Sequence, residues 1–537
     1  ARLGGGRFFF QALLRRGLSG WIALETLFYV YWLARRRSLQ QRRHLPPMVH
    51  QSAVGQRKKA LKESLRQLEK VVDPMNRVNE LEESPMSSKL QRRRLVGSSV
   101  ELHRSAAQLV DTAVQSSGEL GRSMSGSMGS LASLASRRGF SRSKSSRVSM
   151  EAVLRTWDQQ EPRVDDEVQK CALRQAELRS FFFGAELEDI KSGNVAEWVT
   201  EYFFEGRTPQ ELTAFEQTEM QGMVQYIAGW VGLPSGSFGE HFNTTVRCMR
   251  LSRDPLVAES RPLWVYCVTT LLLPSLAHYR CHRLGFSKFT SGGLEYWHRP
   301  ARERRPGPPK VPVIFCHGLG VGVLPYLDLV QDICEAVSAE IFVLDMPHLA
   351  SRPKTDVPSP RETAACIVDM LAAWGHSKAH CMGHSFGTVV ITWVARMSEV
   401  AASLMFLDPV CFLLMKHDVL SNVVYSSALE PLSDFRSAAF EFFVFRELYI
   451  ANTLTRNFFW QDNDFVAEKL HKPAVVLLSG NDTIVPAHSV RRLLECERRR
   501  RQKLLLEEKV VQEGGSVVMQ RAECGFSRQC TEEEEPS

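Results

Sequence analysis

The sequence has no histidine after His488, no closely spaced cysteine pairs, and no long apolar run free of charge. Twelve cysteines are scattered from Cys171 to Cys530, without the spacing of a zinc site or the density of a small disulfide scaffold. No metal is therefore expected. Thiols inside apolar runs, such as Cys316 and Cys381, read as small buried hydrophobes, which favours a reducing compartment. Phosphate-cradling loops are missing too. Gly318, Gly320 and Gly322 fit neither G-x-G-x-x-G nor G-x-x-x-x-G-K, so neither a nucleotide nor any other cofactor is expected. The net charge of +7 comes without an RNA-binding or finger motif. Arginines crowd residues 1–150, whereas the chain after Val311 is balanced and ends in the acidic run Glu532 to Glu535. That distribution excludes nucleic acid as the expected partner and favours anionic lipid headgroups.

At 537 residues the chain exceeds what one hydrophobic core organises. Hydrophobic residues at 44% and charged residues at 24% leave ample material for a globular domain. Residues 1–37 read as a hydrophobic anchor with basic flanks: Leu18 to Ala34 is nearly all apolar, rich in Trp and Tyr, and bounded by Arg15-Arg16 and Arg35-Arg36-Arg37. Glu25 interrupts it, at a cost of about 2.5–3.5 kcal/mol in mid-membrane, so spanning and interfacial placements both stay open. Because the chain begins with Ala1, the start is expected to be processed or incomplete.

Residues 38–149 read as a basic, Ser-rich, mostly disordered linker containing one helix from Lys58 to Val72, with Leu61, Leu65 and Leu68 at helical spacing. Ser141 and Ser145, each three residues after an Arg, are candidate phosphorylation sites that would weaken contact with acidic lipid. Residues 150–305 are expected to be helical and to pack on the core, with Pro262 to Ala277 as a buried or membrane-facing helix. A domain over 306–520 and an acidic tail over 521–537 complete the organisation.

Within 306–520, short apolar runs alternate with helical spacing. Val311–Cys316 leads into His317-Gly318-Leu319-Gly320, Ile341–Leu344 into Asp345, and Ala379–Met382 into Gly383-His384-Ser385-Phe386-Gly387. Leu404–Leu407 precedes Asp408-Pro409, and Ala474–Leu478 precedes Ser479-Gly480-Asn481-Asp482. The pattern is that of an α/β fold, a mostly parallel sheet wrapped by helices, with functional groups at the C-terminal strand edge. Gly-x-Ser-x-Gly between a strand and a helix is a nucleophile elbow, which makes Ser385 the nucleophile. A serine attacking a carbonyl needs N–H donors for the oxyanion. Phe386 offers one, and Leu319, then Gly320, are the candidates for the other.

On these residues the chain resembles the α/β-hydrolase superfamily, in its serine lipase and esterase-like members, over roughly Val311 to Leu494. The resemblance implies an orienting acid, Asp482 or alternatively Asp408, and a helical cap over about 411–472. That cap is rich in Phe and Trp, which suits a lipophilic ester or lipid substrate. It also implies a histidine after an eighth strand. Glu508 to Val511 could form that strand, but no histidine follows, and His488 is badly placed to serve as base. His384 is expected to point away from the serine, and His317 to brace the oxyanion loop. Two functions stay open. One is a membrane-associated serine hydrolase forming an acyl-enzyme at Ser385, its catalytic domain on the cytosolic face. The other is a non-catalytic binding or scaffold protein of the same fold. A chain end altered relative to an active enzyme is the companion expectation to the missing histidine.

Overall fold

The computed structural model describes residues 4–40, 56–72, 164–239, 241–302, 310–425, 440–480, 482 and 484–512. The Ser-rich stretch with Ser141 and Ser145 and the acidic tail lie outside them. In chain order the helices before the sheet are α1 (Gly4–Gln40), α2 (Gln56–Val72), α3 (Val164–Phe181), α4 (Ser192–Phe203) and α5 (Ala214–Trp230). Then α6 (Leu263–Cys267), a π-turn (Val268–Leu272) and α7 (Leu273–Arg283) follow without a break.

The sheet is built from β1 (Ser287–Ser291), β2 (Leu294–Arg299), β3 (Val313–Cys316), β4 (Ile341–Asp345), β5 (Ala379–His384), β6 (Ala401–Leu407) and β7 (Ala474–Leu477). Its spatial order is β1-β2-β4-β3-β5-β6-β7. Pairings from β4 through β7 are parallel, and the β1–β2 hairpin joins the β4 edge antiparallel. The sheet therefore starts at Ser287, inside the region expected to be only helical. Alternate residues of β3 and β4 feed two separate cores. Val313, Phe315, Ile341 and Val343 pack on one face, and Ile314, Cys316, Phe342 and Leu344 on the other. Burial on both faces is why these strands read as continuous apolar runs.

Between and after the strands lie α8 (Leu327–Ala336), α9 (Pro360–Ala373), α10 (Phe386–Met397), α11 (His417–Val423), a second π-turn (Glu441–Phe445), α12 (Leu448–Arg456), α13 (Trp460–Asn463) and α14 (Ala487–Gln512). Residues 508–511, expected as an eighth strand, are the last turns of α14. The run preceding them, with Glu497 paired to Arg500 and Arg501 at helical spacing, sustains a helix.

The linker helix expected over residues 58–72 is α2, and it is part of the core. Leu61, Leu65 and Leu68 are buried, Ser64 Oγ donates to Asp464 Oδ2 at 3.0 Å, and Gln67 Oε1 accepts the Ala467 N–H at 3.1 Å. Burial pushes the Asp464 carboxyl up to about 6. The folded state therefore holds this proton more tightly than the unfolded chain does, and stability rises as pH falls from above 6 toward the unfolded value near 4. Asp464→Asn is expected to stabilise the protein at pH 8 and to flatten that rise, as urea unfolding across the pH range would register.

Among the described residues no helix is long and apolar enough to cross a membrane. Glu25, the charge inside the apolar run, has a structural partner: its carboxylate accepts the Leu263 N–H at 2.9 and 3.1 Å and so caps the start of α6. Carboxylates are favoured at helix N-termini, where N–H groups lack intrahelical acceptors. Two turns further on, Trp32 is buried against Leu256, Tyr266, Leu448 and Tyr449. One face of α1 is thus packed on the protein, which is not the environment of a lipid-surrounded span.

Candidate active site

β5 delivers Ser385 into a turn that few side chains tolerate, φ 51° and ψ −120°, immediately before α10. Such a conformation costs on the order of 1–3 kcal/mol and persists only when its surroundings fix it. Here Ser385 N–H donates to the Leu407 carbonyl at 2.9 Å, tying the turn to β6. The Ser385 carbonyl accepts from Thr388 N–H at 2.9 Å and from Thr388 Oγ1 at 2.6 Å. Glycine is required on both sides. A Cβ on Gly383 would run into the Gly387 carbonyl, and one on Gly387 into the Cys316 carbonyl at the end of β3.

The loop after β3 abuts the serine, since a Cβ on Gly318 would lie 2.9 Å from Ser385 Cβ. His317 holds this loop. Its Nε2 accepts the Met346 N–H at 3.1 Å, so Nδ1 carries the proton and donates to the Gly318 carbonyl at 2.7 Å. Burial lowers its pKa and keeps the ring neutral. Of the expected oxyanion donors, Gly320 is already committed, because its N–H donates to the Leu349 carbonyl at 3.0 Å. The N–H groups of Leu319 and Phe386 have no such acceptor among the described residues.

The His384 ring has Tyr326 and Asp408 among its partners. It lines the same cavity as Ser385, with Nδ1 2.9 Å from Tyr326 Oη and Nε2 3.9 Å from Asp408 Oδ2. Tyr326 Oη also accepts the Gly318 N–H at 3.1 Å. The phenol proton can then go to Nδ1, leaving Nε2 protonated toward the carboxylate. Tyr326 was not legible as a site residue, having no motif signal beyond its place shortly after the glycine loop. Tyr326→Phe would leave the Gly318 N–H without this acceptor. It should cost about 1–3 kcal/mol in denaturant unfolding and loosen both the loop and His384.

The two candidate acids reach the cavity by different routes. Asp408, at φ 44° after β6, accepts from Ser479 N–H at 2.6 Å and Ser479 Oγ at 2.8 Å, which locks β6 to the end of β7. Asp482 Oδ1 accepts from the N–H groups of Ile484 at 2.7 Å and Val485 at 3.0 Å, a turn that fixes its own loop. His488 stands exposed in the first turn of α14 and does not line the cavity, so the structure does not bring it to Ser385.

Around these polar groups lies a cavity of about 470 Å³ whose walls are mostly apolar. The expected cap supplies Phe440, Phe445, Phe458 and Trp460. Tyr202 of α4 and Leu251 also contribute, so the helices ahead of the sheet form part of the wall. No group of three or more His, Cys, Asp or Glu side chains among the described residues could hold a metal ion. The arrangement places a serine hydroxyl, an imidazole and two carboxylates around one mostly apolar chamber, with Leu319 and Phe386 also in its lining.

Residues 313–524 match the model of the alpha/beta hydrolase family. No curated protein matches the chain by sequence. Solved structures of similar shape include a bacterial membrane phospholipase A described as a virulence factor, at 17% identity and TM-score 0.32 over 43% of this chain and 81% of that one. Another is naproxen esterase from Bacillus subtilis, at 15% identity and TM-score 0.29 over 41% of this chain and 85% of that one. Carboxylesterase CesB from Bacillus subtilis aligns at 11% identity and TM-score 0.28 over 42% and 86% of the two chains. At scores this low none of the three lends this chain a function.

Proposed function

We propose, on the premise that this chain is an α/β hydrolase through residues 313–524, that it is a membrane-associated serine hydrolase of lipophilic carboxylic esters. The observation carrying this reading is Ser385 held at φ 51° on an elbow that faces a mostly apolar cavity. In the first step Ser385 Oγ bonds to the carbonyl carbon as its hydroxyl proton passes to a base, which afterwards gives that proton to the leaving alkoxy oxygen. The oxyanion that develops is received by the N–H groups of Leu319 and Phe386. Collapse breaks the bond to the alkoxy oxygen, which leaves as the alcohol with a proton, and water then releases the carboxylic acid. Asp482 or Asp408 supplies the negative charge that steadies a protonated base. Among the described histidines, His384 is the one that shares the cavity with the serine. The lipophilic substrate follows from aromatic walls, which favour acyl chains over sugars or charged peptides.

A second reading, a binding protein on the same fold, is favoured by a separate observation. Asp482 spends Oδ1 on two backbone N–H groups, and His384 Nδ1 is engaged by Tyr326. Without a positioned proton acceptor the hydroxyl is a weak nucleophile. A fluorophosphonate probe separates the two. The hydrolase should be labelled, and the Ser385→Ala variant should not. Folded protein that takes no label, yet retains a fatty ester in the cavity, would establish the binding protein instead.

A further inference from the structure

Helices α1, α6 and α7 carry an apolar surface that neither the core nor the site uses. On α1 the buried face bears Glu25, which caps α6, and Trp32; Phe28 packs on Tyr266 of α6 at 5.2 Å between ring centroids. On the solvent side Leu27 is 67% exposed and Val30 58%. The adjoining α6, π-turn and α7 repeat the arrangement: Tyr266 and Ala277 are buried, while Trp264, Leu271, Leu272 and Tyr279 stand more than half exposed. Single exposed apolar residues need no explanation, but rows of them on two helices joined side by side do.

We propose that the outer faces of α1 and of α6–α7 form one docking surface for an anionic lipid bilayer, lying in the headgroup plane and not spanning it. This deepens the membrane association proposed above and is independent of the chemistry at Ser385. Charge selects the bilayer over a second copy of the chain. Exposed Arg37 follows the apolar row of α1 and exposed Arg283 ends α7, with His278 and His282 exposed ahead of it, whereas Arg35 and Arg36 turn inward to Thr355 Oγ1 and the Leu256 carbonyl. Glu25 is committed to the Leu263 N–H, and Asp328 and Arg280 neutralise one another, so the net charge of the surface rests on Arg37 and Arg283. Tryptophan and tyrosine among aliphatics, bordered by arginine, is the chemistry that suits the boundary between acyl chains and phosphates. The surface is also fastened to the cavity wall. Tyr266 Oη donates to Glu447 at 3.1 Å, and the Arg261 guanidinium donates to the Arg446 carbonyl at 2.9 Å and covers the Phe442 ring at 4.8 Å.

The test is flotation of the full chain, in a Ser385→Ala background so that no lipid turnover intervenes. It uses vesicles of phosphatidylcholine alone and of phosphatidylcholine with phosphatidylserine. Binding to the phosphatidylserine vesicles should weaken with added salt. It should fall about tenfold or more in Leu271→Asp/Leu272→Asp and in Leu27→Asp, since each loses a buried leucine and gains a charge against the lipid. Phe215→Asp, an equally exposed apolar position on α5, should bind like the parent. Thermal melts establish that each variant is folded. Unchanged binding in the α1 and π-turn variants would overturn the proposal, as would an equal loss in Phe215→Asp. So would resistance to alkaline carbonate extraction, which marks a span, or loss of self-association in place of lipid binding. Fluorophosphonate labelling of the same substitutions with Ser385 restored reads the catalytic proposal separately.

Discussion

Replacing Ser385 with alanine is expected to lower hydrolysis of a medium-chain p-nitrophenyl ester by about 10⁴-fold or more, the scale on which serine hydrolases lose turnover when the nucleophile is removed. The loss should appear in kcat, because the cavity that binds the acyl chain is built from side chains other than the serine. Substrate length is the second axis of the same measurement. Each methylene transferred into an apolar wall contributes about 0.8 kcal/mol. In a cavity of about 470 Å³, kcat/KM should climb severalfold per methylene until the chain outgrows the space. A flat dependence on chain length would remove the argument for a lipophilic substrate even if Ser385→Ala is inactive. The alanine variant should melt at or above the parent temperature, since no hydrogen bond from Ser385 Oγ appears among the described contacts, whereas the turn itself depends on backbone groups.

Gly387→Ala should be among the most damaging single methyls at the described glycines. The added carbon meets the Cys316 carbonyl and lies close to that of His317, both at the end of the central strand β3. Backbone cannot rotate away as a flexible side chain can. Either β3 moves, carrying the loop with Leu319, or α10 tilts, carrying Ser385. Overpacking of this kind typically costs about 1–3 kcal/mol and sometimes more. The expected result is a clear drop in melting temperature together with loss of fluorophosphonate labelling in the fraction that remains folded. A variant with parental stability and labelling would mean that β3 and α10 are farther apart than described.

The strands β3 to β6 were readable because both their faces are buried, so the apolar runs are uninterrupted; β7, half-buried at the sheet edge, was readable from its short Ala-Val-Val-Leu run. The elbow was readable because only glycine fits its flanks. The β1–β2 hairpin was not. Its edge strand Ser287–Ser291 is largely exposed and polar, and carries no run to detect. Helix α2 showed its leucine stripe, but nothing local says whether a stripe packs against its own domain or another partner. The partners that settle the matter, Asp464 for Ser64 and Ala467 for Gln67, each lie 400 residues further along the chain. Tyr326 and the side-chain direction of His384 follow from the path of the loop after β3, which spacing does not encode. Glu25 is the clearest case. In the sequence it counts against a membrane span, whereas in the fold it is the acceptor that starts α6.

That cap has a practical consequence for anyone who shortens the protein. Beginning the chain at residue 41 would not release a tether from an otherwise finished body. It would strip the cover from Leu256, Leu448 and Tyr449, leave the Leu263 N–H without the carboxylate that receives it, and remove the Gln40 side chain that accepts from the Leu256 N–H at 2.9 Å. A sticky new surface would open beside the cap, and such a protein would be prone to clump or to adhere to lipid for reasons unrelated to the native one. Residues 20–40 behave as a lining sewn into the coat, so point changes on their outer side, and not deletion, are the way to ask what that side touches.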